Sequence, residues 1–331
     1  MDTIALTLAE ATALCERAAI AAGALPDVAL SIARSSVAAE AGGQPSVGIA
    51  HFIDYLEALE AGRIDGKAVP DISRPAPAII LSDARGGAAH PGFDAAFDLI
   101  VEAANEFGLA LFSQKNAYTC GALGYFAGRL AEKGLAAIAA TNGPALLAGS
   151  GSTKPVYCTN PLAFAAPVAG GPPLIIDQSS SSTAFVNIRN AAKAGKPIPE
   201  GWALDAEGRP TTDASQAVKG ALLAFGGGRG ANIALMVEVM SAGISGANWS
   251  LDAPSFTRGS QSPGTGLTVI ALATRLVDPG FETRLAAQLD RLSGHGVHIP
   301  GRSKGAARGK AETKGISIPR AVYQRIAGTH R

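Results

Sequence analysis

The chain has 331 residues, of which 47% are hydrophobic, 5% aromatic and 17% charged, with a formal net charge of +1. That length can bury a sizeable core, and high hydrophobicity with little net charge excludes general disorder. No apolar run reaches the ~20 residues of a membrane-spanning helix, no basic-then-apolar leader opens the chain, and near-neutrality gives no reason to expect nucleic acid.

In chain order, the first third reads as helical. Thr7 to Glu10 has capping-box spacing and starts a helix that Gly23 stops. Pro26 starts a second helix ending near Gly42 and Gly43, and a third covers Ile49 to Ala61. Residues 63–77 are polar and proline-bearing and read as a linker. Strands are then expected at 78–81, 109–112, 135–140, 161–166, 173–176 and 267–273. Helices are expected at 93–107, 121–133, 182–194, 233–242 and 281–292. Residues 196–213 read as a long loop, a kind of segment that often carries function. The alternation indicates an α/β or α+β fold, and a doubly wound parallel sheet is not forced.

Cys15, Cys120 and Cys158 form an odd, widely spaced set that suits a reducing cytoplasm. The charge is uneven: residues 301–331 hold eight basic residues and one acid, so the tail carries +7 and the body −6. Such a tail is either a solvated or intersubunit segment, or a contribution to binding a phosphate-bearing ligand.

Three stretches carry candidate chemistry. Gly226 to Ala231 fits G-x-G-x-x-G/A after an apolar stretch and before a helix, so its N–H groups can face an anion. No β-branched strand ending in an acid follows ~20 residues on, which speaks against a Rossmann fingerprint; a ligand-approaching turn and a tight packed turn both remain. Leu174 to Asp177 places an acid at the end of an apolar strand, costly unless hydrogen-bonded, and the serines after it can cap a helix or bind an anion. Ser113 to Gly121 reads as a polar turn in which Lys115 offers a point charge to a substrate carboxylate. Cys120 reads as a small buried residue rather than a nucleophile. His51, His90, His295, His298 and His330 show no metal-ligand spacing, and no metal is expected.

Several segments together resemble one family: Thr159 to Pro167, the Asp177 strand end, Ile198 to Asp213, and the Phe225 turn running into Ala234 to Glu238. They look like the type-2 malate/L-lactate dehydrogenase family, which also holds sulfolactate dehydrogenases and cyclic ketimine reductases. The resemblance runs from about Thr7 to about Arg302. It implies a non-Rossmann α+β fold with a helical domain (1–77), a mixed, largely antiparallel sheet lobe flanked by helices (78–300), and a basic tail (301–331) packing on the helical domain. It further implies an NAD(P)-dependent oxidoreductase, a homodimer, and cofactor contacts at Gln178, Ser179, Ser180, Ser181, Gly227, Arg229, Gly301 and Arg302. Arg229 and Arg302 favour NADPH over NADH, as cations for a 2′-phosphate.

The departures narrow the chemistry. The family's usual Ser-His-Gly reads Ser46-Val47-Gly48, so its proton-donating histidine is Val47. The arginine that follows is His51, and a second family histidine is Thr119. A ketone needs an acid as hydride arrives, an effect of about 10²- to 10⁴-fold. A cyclic ketimine is protonated beforehand and needs a carboxylate beside its iminium. The expected substrate is therefore a small 2-imino acid such as pyrroline-2-carboxylate. The expected catalytic residues are Asp177, Ser46 and His51, with Lys115, Asn116, Tyr118, Thr119, Asn142, Thr159 and His90 as substrate contacts. The alternative is a malate/lactate-type 2-hydroxyacid (2-oxo acid) dehydrogenase with His51 or His90 as the displaced acid.

Overall fold

The computed structural model describes residues 2–328; His330 and Arg331 lie outside the described residues. The chain opens with strand β1 (Thr3–Leu6) and helices α1 (Leu8–Ala21), α2 (Pro26–Ala41) and α3 (Ile49–Glu60). The capping box at α1 forms: Glu10 N donates to Thr7 Oγ1 at 3.2 Å, and Thr7 N donates to Glu10 Oε2 at 2.8 Å. Pro26 occupies the first turn of α2, where its missing N–H costs nothing. At α3 the cap comes from a distance. Glu40 Oε2 accepts from Ile49 N at 2.9 Å, and only glycine fits at position 48, where a Cβ would stand 2.3 Å from that oxygen.

The middle of the chain builds β2 (Asp71–Ala76), β3 (Ile79–Asp83), α4 (Ala89–Phe107), β4 (Leu109–Ala117), α5 (Gly124–Ala131), β5 (Ala136–Thr141), β6 (Leu147–Ala148), β7 (Pro155–Tyr157), β8 (Leu162–Ala166) and β9 (Leu174–Gln178). Then come α6 (Phe185–Lys193), β10 (Ala203–Leu204), β11 (Pro210–Thr211), α7 (Ala214–Ala217), β12 (Ala221–Leu222) and α8 (Gly228–Glu238), which runs into a π-turn at Val239–Gly243. The chain finishes with β13 (Thr265–Leu272), α9 (Thr274–Val277), α10 (Phe281–Gly294), α11 (Arg302–Lys314), β14 (Ile316–Pro319) and α12 (Arg320–Gly328).

The main sheet has the order β2-β3-β4-β13-β5-β8-β9, and only β3 and β4 run parallel. It is an α+β fold without the parallel sheet a Rossmann domain requires. A smaller sheet, β11-β10-β12-β6-β7, lies beside it, and β1 pairs with β14.

Register sorts the main sheet into two faces. Ile80, Phe112, Val269, Ala139 and Ala163 face one another across five strands and are fully buried. They share one core with residues of α4 and α5 such as Phe93 and Phe126. The alternate row is Ile79, Leu111, Ile270, Ile138, Phe164 and Ile176, and none of its members is buried. A helical core of α1–α3 also takes in Ile316, Ile318 and Ile326 of β14 and α12.

The structure corrects several expectations. Residues 63–77 are not merely a linker, since β2 lies within them despite Arg74 and Pro75, at a sheet edge where a proline breaks no ladder. The polar turn expected from Ser113 is strand as far as Ala117. Within it Gln114 donates to Ala89 O at 3.1 Å and accepts from Ser82 Oγ at 2.9 Å, while the buried Ser113 hydroxyl has no partner. Helices α5 and α6 start three residues later than expected, and α8 five residues earlier. The long loop holds β10 and β11, and the basic tail folds into α11, β14 and α12.

Gly301, just before α11, has φ +88°, and a Cβ there would stand 2.7 Å from Ile175 N. Gly301→Ala is expected to lower the free energy of unfolding by about 2 kcal/mol or more, through left-handed strain plus overpacking, as read by urea titration.

Candidate active site

The covered row of the sheet ends on an acid. Asp177 on edge strand β9 lies opposite Ala163, so its side chain emerges on the face that α5 packs against. Gly124 N, at the first residue of α5, donates to Asp177 Oδ2 at 2.8 Å, so the carboxylate meets the positive end of that helix. A Cβ on Gly124 would crowd the same oxygen at 3.0 Å. Burial holds the Asp177 carboxyl above its ordinary pKa, against the opposing pull of the Gly124 N–H and the Lys304 charge.

An aromatic and histidine cluster stands beside the 118–121 segment. His51 Nδ1 meets Asp54 Oδ2 at 2.9 Å, and the His51 ring stands edge-on to Tyr55 at 5.2 Å. Burial works against ionisation of Asp54, but the His51 bond and the charges of His51, Arg189 and Arg63 bring its pKa below the ordinary value. Tyr55 is buried against His90 and Tyr118, and its hydroxyl donates to Thr119 O at 3.5 Å. Tyr118 Oη donates to Phe256 O at 3.0 Å.

His90 is wholly buried, with Nε2 3.1 Å from Cys120 O. A carbonyl only accepts, so Nε2 carries the proton. Burial pushes His90 down to about 4, although Asp94 and the Cys120 carbonyl pull upward. It is a neutral imidazole whose one N–H is committed to the main chain. That removes it as the displaced acid. Burial also raises the Cys120 thiol to about 12, with the Asp177 charge adding to the effect, so a thiolate nucleophile is excluded there.

The serine and glycine turns come together. Ser180 N donates to Thr159 O at 2.8 Å, and Ser180 Oγ to Asn160 O at 2.8 Å. Phe225 N donates to Ser180 O at 3.1 Å, and Ser181 bridges to Ala224. The strand end carrying Asp177, Gln178 and Ser179 therefore leads directly to Gly226 and Gly227. These have φ +58° and +62°, and both have open space where a Cβ would be. Arg229 follows, exposed in the first turn of α8.

A cavity of about 340 Å³ lies between α2, α5, β9 and α11, with Gly124, the partner of Asp177, in its wall. Ile175, Gly128 and Gly301 form part of its wall, and Arg129, Lys304 and Arg308 bring positive charge. Arg308 pairs with Glu132 and Glu312, and Arg129 with Asp94.

Other expected residues are engaged elsewhere. Lys115 Nζ lies 3.7 Å from Asp83, and Asn116 Nδ2 donates to the same carboxylate at 2.9 Å. The Asn142 amide is used within the fold, donating to Asn248 O and accepting from Gly266 N. Arg302 pairs with Asp290 at 2.6 Å. Ser46 is exposed in the turn before Gly48, and Val47 beside it is half-buried. Thr159 contributes its carbonyl to Ser180. Sequence reasoning missed Gly124, Tyr55, Arg129 and, as site residues, Lys304 and Arg308. The last two fell in the basic tail, whose charge was the one available signal.

The chain matches the malate/L-lactate dehydrogenase family over residues 6–327. It is 35% identical over 325 residues to the (2R)-3-sulfolactate dehydrogenase (NADP(+)) of Chromohalobacter salexigens, covering 97% of this chain and 96% of that protein. It is 32% identical over 331 residues to the Δ1-pyrroline-2-carboxylate reductase of Ancylobacter novellus, covering 98% and 97%. The fold matches the crystal structure of Δ1-piperideine-2-carboxylate reductase from Pseudomonas syringae pv. tomato, with a TM-score of 0.94 and 31% identity. That match covers 99% of this chain and 100% of the other.

An unfolded histidine titrates near 6.5 and folded His90 near 4. Between those values the unfolded chain binds more protons, so stability is full above the upper value and falls as pH drops toward the lower. His90→Gln keeps a donor for Cys120 O and removes the titration. Comparing urea midpoints at about pH 5 and about pH 7.5, the wild-type drop is expected to shrink in this variant.

Proposed function

The chain belongs to the malate/L-lactate dehydrogenase family of oxidoreductases, and on that premise we propose that it reduces small 2-imino acids with NADPH. The substrates are cyclic ketimines such as pyrroline-2-carboxylate, and the product in that case is proline. The observation that carries this reading is that the two positions where the resemblance places the family's histidines hold none. Val47 and Thr119 stand where the family has histidines, and His90 is neutral and bonded to Cys120 O.

A bound nicotinamide dinucleotide would supply the hydride. The residues present suit such a group: open glycines at 226 and 227, a serine turn beside them, and a charged cavity lined by Gly124 and Lys304. Gln178 to Ser181 and Gly227 would hold the dinucleotide, and Gly301 lets α11 approach β9. Lys304 suits a 2′-phosphate better than Arg302, which is paired with Asp290, or Arg308, which is paired with Glu132 and Glu312. On the substrate side, a protonated imine places its cation near the Asp177 carboxylate. That arrangement favours the iminium and excludes the need for a proton at the moment of hydride arrival. Tyr118, Thr119 and Thr159 border the same segment. Arg189 on α6, within electrostatic reach of Asp54, offers a guanidinium for the substrate carboxylate, a role open because His51 replaces the family arginine.

The 2-hydroxyacid dehydrogenase reading draws on the sulfolactate dehydrogenase relative. It requires His51, in its pair with Asp54, to protonate a ketone. A homodimer is supported by the incompletely buried apolar row from Ile79 to Ile176, with Ile138 exposed, and by Leu235, Met236 and Val239, exposed on α8 and the π-turn after it. Three buried free cysteines suit the reducing cytoplasm. Among the described residues no helix is long and apolar enough to cross a membrane.

Steady-state assays with NADPH should show pyrroline-2-carboxylate turned over faster than pyruvate, oxaloacetate or 3-sulfopyruvate; faster ketone turnover would overturn the reading. Asp177→Asn keeps an acceptor for Gly124 N but loses the charge, and kcat/KM for the imine should fall about 10²-fold or more. Lys304→Ala should raise the KM for NADPH about 10-fold and leave that for NADH nearly unchanged, the size of one charge-assisted hydrogen bond.

A further inference from the structure

Glu238 is a carboxylate in the protein interior, 4% exposed at the last residue of α8. It accepts three hydrogen bonds, all from neutral donors. Ser250 N donates to Oε1 at 2.6 Å, and Ser250 Oγ and Asn160 Nδ2 donate to Oε2 at 2.7 Å each. A buried carboxylate costs free energy unless its lone pairs are filled, and bonds to it are shorter and stronger than neutral ones. What those bonds hold is informative. Asn160 has φ +34° and precedes Pro161, a backbone state that persists only when its surroundings enforce it. Its amide has one orientation, because both Nδ2 hydrogens go to acceptors, Ala234 O at 2.8 Å and Glu238 Oε2. Ser250 Oγ also accepts from Cys158 N at 3.1 Å, so the 158–160 segment is held at both ends.

That segment in turn holds the serine turn. Thr159 O and Asn160 O take both donors of Ser180, and Ser180 O takes Phe225 N at the entry to the glycine turn. Helix α8 is thus tied to one serine at both ends: at its start through Phe225, and at its end through Glu238 and Asn160. We propose that Glu238 is a positioning residue for the dinucleotide cradle, fixing Ser180 against the glycine turn through Asn160 and Ser250. This rests on reading the two turns as the cofactor site. Glu238 and Ser180 act at a remove, Ser180 being buried with both donors engaged; Gly226 and Gly227 are the groups that would meet the ligand.

The test measures NADPH and NADH dissociation constants by fluorescence titration, with kcat, KM and Tm for the same samples. Glu238→Gln is expected to weaken NADPH binding about 10-fold while kcat at saturating cofactor stays within about 3-fold. A purely structural role would lower Tm and leave the cofactor affinity of the folded enzyme unmoved. Ser180→Ala should weaken binding by a similar factor, and the double variant should bind no more weakly than the worse single, because both cut one path. Ser250→Ala removes one donor and leaves the carboxylate two. It should give an intermediate weakening, and it decides the matter if Glu238→Gln does not fold. Affinity within about 2-fold of wild type in the folded variant, or fully additive losses in the double, would overturn the proposal. If the wild type binds neither dinucleotide, the cofactor reading falls and this proposal with it; if it binds and the variants match it, only the proposal falls.

Discussion

The hydrogen bond from Gly124 N to Asp177 Oδ2 joins the two structures on which the site depends. On one side is a cross-strand row of buried apolar side chains running from Ile80 to Ala163. On the other is the start of α5, where Tyr125 N and Phe126 N turn back to Ala122 O and Leu123 O and Gly124 N goes to the carboxylate. A carboxylate in the middle of that row would be stranded among hydrocarbon. At the edge strand it finds a helix N-terminus and remains half-buried. The edge position is what makes an acid tolerable there, and the same position makes it reachable.

Around this pair the chemistry follows from what the fold does with its imidazoles. His90 is placed so deep, and so firmly on Cys120 O, that it serves the shape of the 119–121 segment rather than proton transfer. His51 is turned to Asp54. With His90 buried and His51 paired, the Asp177 carboxylate is a charged group left beside the turn. An environment of that sign suits a substrate that arrives as a cation better than one that must become an anion.

The C-terminal segment completes the site. Strand β14 pairs with β1 at the far end of the sequence, which anchors α11 along α2 and β9. Gly301 permits the approach, since any side chain there would meet Ile175 N. Lys304 and Arg308 then border the cavity, and the Lys304 charge reaches Asp177. The uneven charge of the chain is thereby partly resolved: some of the positive tail is matched to acids of the body, as in Arg308 with Glu132.

Much of this was legible in one dimension. Capping at Thr7 and Glu10, the first-turn proline of α2, the acid at the end of β9 and the glycine turn before α8 are local features, set by steric and hydrogen-bonding rules that act over a few residues. The sequence alone could not say that Lys115 would turn to Asp83, that Asn142 would be used by Asn248 and Gly266, or that Glu238 would hold Asn160. Those partners lie from 32 to 124 residues apart or face one another only through the order of strands in a sheet. Register and packing choose them, and both are settled by burying the whole apolar row at once rather than by any short stretch of chain.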